Sequence, residues 1–134
     1  MMSIHLKIVG VLLLLLAAAN FLLPRRLHWR EELPRLSLLN RRIFQVHCMF
    51  IVLIVVMLAV LCLVYTDELQ TPHPLARAVL AGMALFWALR LFAQWFIYDR
   101  SLWQGDRART VLHVIFSLLW VYFVGVFGAA WWSI

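Results

Sequence analysis

Four stretches of this chain are too long and too apolar for a water-soluble fold. A membrane-spanning helix needs roughly 20 consecutive, mostly apolar residues. Residues about 6–23, 43–66, 75–98 and 110–133 each meet that requirement. Breakers or charges bound every stretch. Pro24, Arg25 and Arg26 close the first, Arg41 and Arg42 precede the second, and Thr71-Pro72-His73-Pro74 precedes the third. Asp99 and Arg100 close the third, and Asp106, Arg107 and Arg109 precede the fourth. A bilayer interior leaves no backbone group unpaired, and the runs lack the two-residue alternation of a barrel strand, so helices are expected. Composition agrees: 66% of the 134 residues are hydrophobic and 13% charged, against about half and about a quarter in soluble domains. A domain this small could not bury that excess. A soluble enzyme, a disordered tail and a secreted disulfide scaffold are excluded. The expected fold is an all-α integral membrane protein, one transmembrane domain over residues 1–134. Connections of about twenty, eight and eleven residues predict antiparallel neighbours in a four-helix up-down bundle.

Positive charge predicts the orientation. Six arginines (25, 26, 30, 35, 41 and 42) fall in the first connection and three (100, 107 and 109) in the third. The other side holds Lys7 and Arg77, offset by Asp67 and Glu68. The arginine-rich side is therefore expected in the cytoplasm and both termini outside it, as in a bacterial inner membrane protein. The net charge of +6 and the pI near 10.4 follow from this asymmetry. No nucleic-acid-binding module fits in the connections, and anionic lipid headgroups are the simpler partner. Residues 1–23 also have the outline of a signal peptide, with Lys7, an apolar core and Ala17-Ala18-Ala19. The arginines that follow favour a retained first helix.

Aromatic residues mark the two interfaces: Tyr65, Trp131 and Trp132 outside, Trp29, Trp95, Tyr98 and Trp103 inside. Residues 24–42 alternate apolar and basic side chains, and Pro34 prevents one continuous helix. This segment is expected to lie along the inner leaflet. Small residues recur at four-residue spacing (Ala78 and Gly82, Ala84 and Ala88, Gly125 and Ala129), which suits close helix packing within the chain or against a partner or second copy. Cys48 and Cys62 share one helix about 21 Å apart, so they do not pair with each other.

Polar groups inside spans are costly and count as candidate sites. Asn20 falls on the first span, His47 on the second, Arg90 and Gln94 on the third, and His113 and Ser117 on the fourth. From the rise per residue, His47, Gln94 and His113 lie about 6 Å from the inner end of their spans and Arg90 about 12 Å. Met83, Trp87, Arg90, Gln94 and Tyr98 form one helical stripe, and Arg109, His113, Ser117 and Trp120 form another. The two stripes are expected to face each other. No Asp or Glu lies within any span, so an anionic lipid or ligand is the expected companion of Arg90.

The favoured reading is a non-catalytic accessory or lipid-contacting subunit of a membrane complex. Its ligand-binding residues would be Arg90, Gln94, His47, His113, Ser117, Asn20 and Trp87, with no cofactor. One alternative is a redox subunit, for quinone or with b-type haem ligated by His47 and His113. Another is a small lipid-modifying enzyme with a histidine general base. No catalytic residue is assigned. A metal site is not expected, because His47 and Cys48, adjacent on one helix, point about 100° apart. In size and span count the chain is similar to the MAPEG glutathione-dependent enzymes and the DoxX-like membrane proteins. The spanning Glu, Asn and Arg pattern that binds glutathione in MAPEG proteins is absent. The runs Asn40-Arg41-Arg42-Ile43-Phe44-Gln45-Val46-His47 and Trp87-Ala88-Leu89-Arg90-Leu91-Phe92-Ala93-Gln94-Trp95 are the most distinctive in the chain.

Overall fold

A computed structural model describes residues 2–21, 29–97 and 105–134, the side chain of Trp29 excepted. Among the described residues the elements are helical. They are α1 (Met2–Ala19), α2 (Trp29–Glu32), a 3-10 turn (Leu33–Arg35), α3 (Leu38–Val64), α4 (Thr66–Leu69), α5 (Pro74–Phe92) running into a π-helical turn (Ala93–Ile97), and α6 (Arg107–Ser133). Four of these segments are long and apolar enough to cross a membrane: Met2–Ala19, Leu38–Val64, Pro74–Ile97 and Arg107–Ser133. Such helices are compatible with an integral membrane protein.

Helix boundaries differ from the apolar runs because backbone helicity does not stop where hydropathy does. The second span begins at Leu38 rather than near residue 43, with the Ser37 hydroxyl accepting from the Asn40 amide as its N-cap. Arg41 and Arg42 therefore ride on α3, and arginine is a good helix former. This shortens the segment expected to lie along the inner leaflet. Trp29–Glu32 is a short helix, and Pro34 sits in the 3-10 turn that separates it from α3. The fourth span starts at Arg107, behind an Asp106 cap that accepts from the Arg109 amide. The third opens at Pro74, with His73 accepting from the Leu75 amide. The first span runs earlier than expected, Met2–Ala19, and the Asn20 amide finishes it on the carbonyls of Leu16 and Ala17. Residues 22–28 and 98–104, which include Arg25, Arg26, Tyr98, Arg100 and Trp103, lie outside the described residues.

The chain divides into two compact units, Leu6–Thr66 and Met1–His5 with Asp67–Ile134. In the Leu6–Thr66 unit, Gly10 of α1 lies against α3. A Cβ there would sit 2.6 Å from Leu63 Cγ and 3.2 Å from the Ala59 carbonyl oxygen. Only a glycine permits that approach. On α3, Ala59 and Cys62 are fully buried, and the Thr66 hydroxyl returns to the Cys62 carbonyl at 2.6 Å. Both cysteines are free thiols.

The other unit is built on α5 and α6. Leu80, Met83 and Trp87 of α5 and Trp120, Phe123 and Phe127 of α6 are buried. Trp87 stacks on Trp120 with centroids 5.0 Å apart and planes 14° off parallel, and it meets Phe123 edge-on at 5.0 Å. Lipid tails are as apolar as these side chains, so van der Waals fit and aromatic geometry hold such helices together. Gln70 Nε2 donates to Ser3 Oγ at 2.7 Å, and Arg77 caps the far end of α6 on the Ile134 carbonyl with its guanidinium over Trp131. A Cβ on Gly82 or on Gly125 would meet nothing within 4 Å, so neither glycine mediates close helix packing among the described residues.

Candidate functional site

Arg90 and Gln94 lie four residues apart, one near the end of α5 and the other in the π-helical turn. That turn carries both Gln94 and Trp95, and both reach α6. Adjacent residues on a regular α-helix point about 100° apart, so Gln94 and Trp95 would not both address one neighbour. In the π-helical turn both do. Gln94 Nε2 and His113 Nδ1 are 2.9 Å apart, and Trp95 Nε1 donates to Ser117 Oγ at 3.0 Å, both partners lying on α6. π-Helical turns are rare and concentrate at functional sites. Nothing in the sequence marks this one.

Arg90 is half-buried. Its Nη1 donates to Gln94 Oε1 at 3.5 Å, and its Cζ lies 5.2 Å from the centroid of the Trp120 ring. Gln94 is only 4% exposed. Its amide thus joins the guanidinium on its oxygen side to the imidazole on its nitrogen side. Gln94 Nε2 can only donate, so the His113 ring accepts at Nδ1.

The tryptophan stack underlies this chain of groups. Trp87 is 2% and Trp120 3% exposed, and the indole Nε1 of each has no hydrogen-bond partner among the described residues. A buried donor left unsatisfied costs about 1–3 kcal/mol. One of the two rings, Trp120, also carries the Arg90 guanidinium 5.2 Å from its centroid.

Five of the seven sequence candidates therefore lie within one unit: Arg90, Gln94 and His113 in one chain of hydrogen bonds, Trp87 linked to Arg90 through its stack on Trp120, and Ser117 bonded to Trp95. His47 is an exposed residue of α3 and Asn20 closes α1 on the Leu16 carbonyl, both in the Leu6–Thr66 unit. Among the described residues no group of three His, Cys, Asp or Glu side chains is placed to hold a metal. Two features escaped the sequence reading. Trp95, expected as an interfacial anchor, also reaches inward to Ser117 while its ring stays 51% exposed. His5, which hydropathy hides in the first turns of α1, has its Nδ1 2.9 Å from the Tyr122 hydroxyl.

The fold and the site define a class, a helical protein with four membrane-length spans and a polar cluster on two of them. No protein-family model matches the chain, and no curated protein or solved structure matches it either.

Proposed function

We propose that this is a non-catalytic, lipid-contacting accessory protein of a bacterial inner membrane. In this reading its four spans run up and down, both termini face outward, and the Arg90 cluster holds the headgroup of an anionic lipid in the inner leaflet. The observation that carries the proposal is the half-buried Arg90 guanidinium, 5.2 Å from the Trp120 ring of a tryptophan stack whose two indole N–H groups have no acceptor among the described residues. A phosphate offers several acceptor oxygens and negative charge together, and arginine matches that geometry better than lysine. Gln94, itself bonded to His113, accepts from the guanidinium and holds it. The excess of arginine in the first and third connections supports the orientation.

Lipid that copurifies with the full-length protein tests the proposal. Wild type is expected to retain phosphatidylglycerol through extensive detergent washing. Arg90→Ala should retain about ten-fold less, the scale of one charge-assisted hydrogen bond, and Arg90→Lys an intermediate amount. Equal retention by all three proteins would overturn the assignment.

A further inference from the structure

A second polar pair sits away from the Arg90 cluster. His5 and Tyr122 line an open cavity of about 410 Å³, completed by Met2, Gly125, Val126 and Ala129. On α6, Tyr122, Gly125, Val126 and Ala129 follow spacings of three, one and three, a single face of the helix. His113, Ser117 and Trp120 occupy a different face and the other half of α6. The cavity is of a size that takes small molecules and is mostly apolar with few polar groups, as such sites are. Its floor is made by small residues: a Cβ on Gly125 would meet nothing within 4 Å.

The chemistry of the pair narrows the guest. A neutral imidazole and a phenol carry two polar protons between them, one N–H and one O–H. Their mutual bond at 2.9 Å uses one of these in either tautomer. With the tyrosine donating to Nδ1, the Nε2–H remains. With Nδ1–H donating to the phenol oxygen, the tyrosine O–H remains. The pair always has one donor left to offer, set in an apolar wall.

We propose that this cavity binds a lipophilic molecule through a single carbonyl oxygen, with the His5–Tyr122 pair as donor and the Gly125–Ala129 floor against its apolar body. Two membrane sources supply that chemistry, the ester carbonyl of a glycerolipid and the ring carbonyl of a quinone.

The test uses the full-length protein in a maltoside detergent, which carries no carbonyl, with bound molecules read by mass spectrometry of the intact complex. The probes are a diester phosphatidylcholine, its diether analogue and a decyl-substituted benzoquinone. At least one carbonyl probe is expected to be retained and the diether is not. Retention of the diester alone identifies a lipid, and retention of the quinone, with or without it, a quinone-accepting site. Gly125→Leu places side-chain bulk on the floor and should lower retention at least ten-fold. The double variant His5→Leu/Tyr122→Phe removes both donors and should lower it by about three- to ten-fold, the scale of one neutral hydrogen bond. Equal retention of diester and diether, retention of no carbonyl probe, or retention unchanged in Gly125→Leu would each overturn the proposal.

Discussion

Gln94 is the residue on which the candidate site turns. It is buried, it accepts from Arg90, and it donates to His113. Interhelical hydrogen bonds in membrane proteins contribute about 0.6 kcal/mol on average and at most about 2. Gln94→Leu is therefore expected to lower stability by about 0.5–2 kcal/mol, measured by reversible unfolding in mixed detergent micelles; no change would mean the amide bridges nothing. Gln94→Glu makes a sharper case. The isosteric carboxylate stands beside Arg90 and competes with an external anion for it, so phosphatidylglycerol retention should fall although the guanidinium is still present. Unchanged retention in that variant would separate the lipid from Arg90. Much at this scale was legible in the sequence, because the three- and four-residue spacings put Trp87, Arg90 and Gln94 on one stripe and His113, Ser117 and Trp120 on another. The Trp95–Ser117 bond was not legible. It depends on a π-helical turn that has no sequence signature, and regular periodicity sends Trp95 elsewhere.

At the scale of elements, the apolar runs located all four spans but misplaced their ends by up to five residues. Caps explain the difference. Ser37 and Asp106 start their helices before the arginines, and hydropathy reads the arginines as boundary while the backbone reads them as helix. The glycines divide in the same way. The small-residue spacing singles out Gly82, with Ala78, and passes over Gly10, whose neighbours four residues away are Leu6 and Leu14, yet a Cβ at Gly10 would stand 2.6 Å from Leu63 Cγ and one at Gly82 would meet open space. Gly10→Ala should destabilise the protein by about 1–3 kcal/mol through overpacking. Gly82→Ala should be neutral or stabilise it by up to about 1 kcal/mol through helix propensity. Parallel unfolding measurements on the two variants check both expectations, and equal responses would contradict the contact geometry.

For the whole molecule, charge and exposure point the same way. No more than 28% of any span's most apolar window is buried inside the protein, and Leu118, Phe96 and Trp132 are among the large apolar residues left exposed. Such surface is compatible with an integral membrane protein. Reporter fusions should place residues 24–37 and the connection before Arg107 in the cytoplasm and both termini outside it. A fusion reporting residues 24–37 on the outer side would reverse the orientation and with it the leaflet assigned to the Arg90 cluster. The central claim is that this cluster binds an anionic headgroup, and a ligand that binds the folded state raises its apparent stability by mass action. The direct measurement is the thermal midpoint of wild type and Arg90→Ala, each with phosphatidylglycerol and with phosphatidylcholine. A larger rise for wild type in phosphatidylglycerol than in phosphatidylcholine, with that difference reduced in Arg90→Ala, is the predicted result. The same rise in both proteins would contradict the account and assign the lipid to the arginines of the connections.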